Sequence, residues 1–184
     1  MHAFQQRHPG VALSLTIGNT SQVARVVSEG EADVGFVEGD VEDPLLTRVP
    51  VGSDQLVLVA ARHHALAGQS TISPSELLRM RWVLREPGSG TRQIFEDAVS
   101  AHGIDPAQLN VALVLPSNEA VRAAVEAGAG VTVISRLVAS GRIETGALCE
   151  LPLPFPVRHF IALRHADRYR SQAQTAFLDL ISVG

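Results

Sequence analysis

Residues 111–134 read VALVLPSNEAVRAAVEAGAGVTVI, and this stretch decides the fold. Val111 to Leu115 is a short apolar run of strand length. Pro116-Ser117-Asn118 breaks it and supplies residues that favour a helix start. From there Ala120, Val121, Ala124 and Val125 recur at helical spacing, with Glu119, Arg122 and Glu126 on the other face at pairing distance. Gly128-Ala129-Gly130 stops the helix, and Val131 to Ile134 is a second apolar run. A strand, a crossover helix and a strand in about two dozen residues form the repeating unit of α/β architecture.

The same alternation extends in both directions. Upstream, Val11, Leu13, Leu15 and Ile17 alternate as in a strand, and Gly18-Asn19-Thr20-Ser21 turns into a helix carrying Val23, Val26 and Val27 that Gly30 ends. Strands are expected over Ala32–Val37, Leu56–Ala61 and Trp82–Leu84. A short helix begins at Ser73-Pro74, and a longer one after Gly88-Ser89-Gly90-Thr91 carries Ile94, Phe95, Ala98 and Val99 on one face. Downstream, Phe160–Leu163 is the last strand. A final helix from Arg168 is expected to bury Tyr169, Ala173, Phe177, Leu180 and Ile181. Strand and helix alternate at least four times with short links, which predicts parallel α/β layers. Val59-Ala60-Ala61-Arg62-His63 resembles Ala162-Leu163-Arg164-His165. Two such strands are what a chain needs to leave one lobe and return to it.

The composition of the 184 residues narrows the function. A hydrophobic fraction of 46% and a mean hydropathy of +0.16 suit a folded domain, and with aromatics at only 4% the cores must be aliphatic. A net charge of −4, without any Lys/Arg-rich run, gives no general attraction to nucleic-acid phosphates. Cys149 is the only cysteine, which excludes an internal disulfide and a cysteine-based metal cluster and suits a reducing cytoplasm. The polar N-terminus lacks the apolar core of a secretory signal, and no apolar run is long enough to span a membrane.

Three strand-to-helix turns are the best candidates for chemistry: Gly18-Asn19-Thr20-Ser21, Pro87-Gly88-Ser89-Gly90-Thr91 and Pro116-Ser117-Asn118. In parallel sheets such turns share the carboxyl edge where α/β proteins bind ligands. Helix starts offer backbone N–H groups and a partial positive charge that receive carboxylate, sulfate or phosphate. The competing role for Thr20, Ser89 and Ser117 is helix capping. Arg92 after Thr91 rules out a P-loop, and Ser89 is not set in G-x-S-x-G. Histidines 2, 8, 63, 64, 102, 159 and 165 form no ligand set such as H-E-x-x-H, so neither a metal nor a cofactor is expected. Asp33 and Glu38 sit without a nucleophile or a base–orienter pair, and Asp33 falls at the edge where the chain enters the sheet.

The chain resembles the effector-binding domain of LysR-type transcriptional regulators. The resemblance is carried by Phe4-Gln5-Gln6-Arg7-His8-Pro9-Gly10-Val11, Glu29-Gly30-Glu31-Ala32-Asp33-Val34-Gly35-Phe36 and Arg85-Glu86-Pro87-Gly88-Ser89-Gly90-Thr91-Arg92. Ser117-Asn118-Glu119-Ala120-Val121 and Ala127-Gly128-Ala129-Gly130-Val131 complete it. The third segment looks like the form found in subgroups that sense small anions or phosphorylated metabolites. The resemblance implies two Rossmann-like lobes of periplasmic-binding-protein type II, joined by two crossing strands: lobe I at 1–61 and 159–184, lobe II at 62–158. Carried over by position, Thr20 and Ser21 face Ser89, Gly90, Thr91 and Asn118 across a cleft between the lobes, and a small, anionic effector sits there. It further implies a cytoplasmic, non-enzymatic sensor that pairs antiparallel, lobe I helices against lobe II of the partner. DNA is contacted only through a helix-turn-helix domain that this sequence lacks. The family's first lobe I strand and the start of its first helix are also expected to be missing, which leaves lobe I with an incomplete sheet, and His63-His64 lacks the proline common after that histidine. A free-standing solute-binding protein of the same fold is the alternative, disfavoured by the lack of a signal peptide. An enzyme on this fold, such as a prephenate dehydratase or a deaminase, finds no supporting residues.

Overall fold

The decisive stretch folds as β4 (Asn110–Leu115), α5 (Asn118–Glu126) and β5 (Val131–Ser135) in a computed structural model that describes residues 1–182. Ser117 caps α5, its hydroxyl accepting from the Ala120 N–H at 3.1 Å. Val121 and Val125 are fully buried, while Arg122 pairs with Glu126 on the outer face and Arg142 joins them at 3.2 Å. Entry into β5 requires glycine: Gly130 has φ +155°, and a Cβ there would lie 2.2 Å from the Arg81 carbonyl oxygen.

The chain divides into two compact units, one of Met1–Gly52 and the chain from His159 onward, the other of Ser53–Arg158. Both boundaries fall inside long strands, β2 (Leu46–Ala61) and β7 (Val157–His165). These are the strands that end in the paired Arg-His sequences.

In the second unit, β3 (Arg81–Arg85) lies between β4 and β5 and runs parallel to both. The sheet is not wholly parallel, however. β2 pairs antiparallel with β5 (Leu56↔Ser135 to Ala60↔Val131) and, on its other side, with β6 (Leu148–Leu151). The reason is topological. Helix α6 (Arg136–Glu144) returns the chain from β5 to β6 as one more crossover, so those two strands run alike. β2 enters between them in the opposite sense.

Both faces of this sheet are covered. Leu56, Leu58 and Ala60 point into a core with Trp82, Leu84 and Phe95, whereas Val57 and Val59 meet Val83, Val121 and Ile134 on the other face. Trp82 is fully buried, donates its indole N–H to the Leu77 carbonyl at 2.9 Å and packs at a tilt against Phe95, ring centroids 4.4 Å apart. Each fully buried side chain of this size contributes on the order of 1.5–3 kcal/mol. Phe95 and Val99 belong to α4 (Gly90–Ala101) and Leu77 to α3 (Pro74–Arg79), whose start is fixed by a capping box between Ser73 and Glu76. Those hydrogen bonds, first that from the Ser73 backbone, hold the Glu76 carboxyl below its usual range. Half-buried Cys149 lies on β6 with its thiol 3.4 Å from the Ala61 carbonyl oxygen, and burial pushes its pKa up.

In the first unit, β1 (Gly35–Val37) pairs antiparallel with β7 (Gly35↔Leu163), and α2 (Thr20–Ser28) packs over it. A Cβ on Gly35 would come within 2.6 Å of Val23, so the helix approaches over bare backbone. Val27, Val37, Val41, Leu46 and Leu163 form the core. Phe4, on the short helix α1 (His2–Arg7), packs edge-on against Phe177 of α7 (Gln172–Ser182).

Two expectations are corrected here. Val11–Ile17 forms no strand: Leu15 and Ile17 are 68% and 87% exposed, and among the described residues nothing pairs with the segment. Alternation supplies two faces, but a strand also needs a neighbour for its N–H and C=O groups. The last helix starts at Gln172 rather than Arg168, and Tyr169 is 88% exposed while Leu178 is buried. Arg168 explains the late start, because its guanidinium donates to the Gly30 and Glu29 carbonyls at 2.8 and 3.1 Å and holds the chain against the end of α2. No helix among the described residues is long and apolar enough to cross a membrane.

Candidate functional site

Because β3, β4 and β5 are parallel, their carboxyl ends share one edge of the second unit's sheet, and each feeds a helix there. The three starts differ in how their first turns are satisfied. Ser117 caps α5, and Ser135 caps α6 by accepting from the Leu137 N–H at 3.1 Å. Ser89, the N-cap of α4, makes no side-chain capping bond, although it is 4% exposed. Ser89, Gly90 and Thr91 are all buried, and Gly88 takes φ +87° to turn the chain sharply into them. A buried helix start with an uncommitted capping hydroxyl is where the dipole's positive end is best placed to receive an anion.

The neighbouring charges fix this edge. Arg85, at the end of β3, holds Glu86 through two nitrogens (2.9 and 3.1 Å) and donates its third to Asn118 Oδ1 at 2.8 Å. That bond ties the end of β3 to the start of α5. Arg92 spans Glu96 at 2.7 Å and the Arg85 carbonyl at 3.2 Å. Arg136 forks onto Glu150, whose hydrogen bonds, with the charge of Asp54 acting in the same direction, hold the guanidinium firmly protonated. Each of these cations is paired to a carboxylate.

Beneath the α4 turn lies an ion pair absent from the sequence reading. Arg158 of β7 donates Nε and Nη2 to Asp54 Oδ2 of β2 at 3.0 and 2.6 Å, and Nη1 to Thr91 Oγ1 at 3.0 Å. The partners are 104 positions apart, and a charged residue amid apolar strands carries no sequence signal of its mate. The Ser135-Arg136 helix start was also missed. A serine directly after the apolar run 131–134 is the signal that could have found it.

Of the expected site residues, Ser89, Gly90, Thr91 and Asn118 thus come to one edge of one unit. Thr20 and Ser21 sit in the first turn of α2 in the other unit, where Asn19 and not Thr20 is the cap, in a reciprocal box with Gln22. Among the described residues no three His, Cys, Asp or Glu side chains gather to hold a metal.

The chain matches the LysR substrate binding domain over residues 1–182. It belongs to that family. As a LysR substrate-binding domain it has the periplasmic-binding-protein type II fold. It is 30% identical over 178 residues to YeiE of Escherichia coli K12, an uncharacterized HTH-type transcriptional regulator, covering 96% of this chain and 59% of YeiE. It is 37% identical over 134 residues to the HTH-type transcriptional regulator CysL of Bacillus subtilis, covering 73% of this chain and 44% of CysL. The chain therefore spans about half the length of these relatives. The CcmR regulatory domain of Synechocystis PCC6803, solved in complex with 2-PG, superposes with a TM-score of 0.87 at 30% identity, covering 99% of this chain and 87% of that one. Both curated relatives are HTH-type transcriptional regulators.

Proposed function

We propose that this LysR domain senses a small anionic metabolite, with Ser89, Gly90, Thr91 and Asn118 of the second unit and Thr20 and Ser21 of the first as effector contacts. The carrying observation is the start of α4: three buried residues at the positive end of a twelve-residue helix whose N-cap serine is spent on no capping bond. The 2-PG held by the CcmR domain supports the reading and makes that compound the first effector to try. The proposed regulatory lobes are 1–61 with 159–184 and 62–158, a first boundary that lies further along β2 than the Gly52–Ser53 division between the two units. The whole protein acts in the cytoplasm without catalysing a reaction, and touches DNA through a helix-turn-helix domain outside these residues. It pairs antiparallel with a second copy. Val111, Leu113 and Val114, 38–48% exposed on β4, which ends its sheet, support a partner surface there.

A thermal-shift screen of 2-PG, inorganic phosphate, sulfate and small carboxylates tests the effector reading. A ligand at a hundredfold excess over its Kd raises the Tm by roughly 5–10 °C for a domain of this size. The shift is expected to vanish in Ser89→Ala and weaken in Asn118→Ala. A shift that survives both substitutions would remove the site from this edge.

A further inference from the structure

The Asp54–Arg158 pair is built in a way that stability alone does not explain. Its side chains are 1% and 4% exposed. Arg–carboxylate pairs reach full strength when two nitrogens meet two oxygens. Here Nε and Nη2 converge on Oδ2, while Oδ1 is buried and accepts from no group among the described residues. A buried acceptor left over in this way weakens a purely structural pair. The arrangement makes sense in terms of the third bond. By crowding Arg158 onto one oxygen, Asp54 aims Nη1 at Thr91 Oγ1, in the first turn of α4. Asp54 lies on β2 and Arg158 on β7, one and no residues inside the boundaries at which the chain passes between its two units. The α4 start is thereby fastened to both connecting strands through a single guanidinium.

We propose that Asp54 and Arg158 are positioning residues for the effector turn: the pair sets the place of Thr91 and the first N–H groups of α4, and the turn binds an anion tightly only while that anchor holds. This rests on the reading of the α4 start as the effector site, but the anchor is testable without an effector.

Charge and position make opposite demands of Asp54→Asn. Removing a carboxylate beside an anion site strengthens anion binding if charge is all that matters. It weakens binding if Asp54 acts by aiming Arg158. Two further variants guard against a simple loss of folding. Arg158→Lys keeps the charge but cannot reach Asp54 and Thr91 with one planar fork. The double change Asp54→Leu with Arg158→Met fills the space with apolar groups, which frequently preserves stability at a buried pair.

The experiment measures amide hydrogen exchange at residues 90–93, with residues 118–121 of α5 as control, and the Kd for 2-PG by calorimetry, in the wild type and the three variants. About tenfold faster exchange confined to 90–93 is expected in each folded variant, with 2-PG bound at least tenfold more weakly. Unchanged exchange at 90–93, or tighter 2-PG binding by Asp54→Asn, overturns the proposal. Faster exchange at 90–93 in the variants, with no binding of 2-PG, phosphate or sulfate by the wild type, upholds the anchor and instead rejects the effector reading of the turn.

Discussion

Single side chains at helix starts divide sharply between those that hold the fold and those whose hydrogen-bonding capacity is directed elsewhere. Ser117 and Ser73 each accept a backbone N–H, so Ser117→Ala or Ser73→Ala is expected to lower the unfolding free energy by about 1 kcal/mol in urea titrations. Ser89 accepts no capping bond, and Ser89→Ala should cost less than about 0.5 kcal/mol in the same titration. Three serines in equivalent sequence settings thus give different outcomes. The sequence shows each as a cap candidate; only the geometry shows which one caps nothing. Arg158 is the extreme case. Arg158→Ala leaves the Asp54 carboxylate buried without its cation, and a loss of about 3–5 kcal/mol is expected at neutral pH. Nothing in the sequence connects these two residues, because the bond depends on how two distant strands lie beside each other.

Secondary-structure elements are legible in proportion to how fully their pattern is used by packing. The 111–134 run is readable because one face of α5 is small and aliphatic and its ends carry turn residues that the backbone needs, Gly130 above all. α6 escapes notice since Ala139 alone is fully buried on it while Leu137 is 69% exposed, leaving almost no periodicity to detect. Val11–Ile17 misleads for the converse reason. Among the described residues it has strand alternation and no pairing strand, just as β4 has an apolar outer edge and one neighbour. Unsatisfied edges of this kind favour association. Leu15→Lys and Leu113→Lys are each expected to shift sedimentation towards the monomer. Wild-type protein that stays monomeric at high concentration would contradict the pairing.

At the scale of the molecule, the strand directions follow from the route of the chain. β2 arrives from one unit and is enclosed by β5 and β6 in the other, so one sheet contains both parallel crossovers and an antiparallel intruder. Periodicity has no access to that arrangement. The loop that leaves β2 carries His64, whose pKa burial pushes down. Above the ordinary histidine range both folded and unfolded chains hold it neutral. As the pH falls through that range the unfolded chain takes up a proton that burial denies the folded one, and stability drops until the folded pKa is reached. His64→Gln is therefore expected to flatten the acid side of the stability curve, read as urea midpoints across a pH series.

Cys149 is the sequence's only sulfhydryl, and it sits on β6 against the last residues of β2. With its ionised form disfavoured by burial, alkylation of the intact protein should be slow, and should proceed through excursions in which β6 lifts from β2. The molecule thereby carries its own stopwatch: one chemical tag, at one place, whose rate of attachment counts the openings of that sheet edge and slows whenever something bound elsewhere makes those openings rarer.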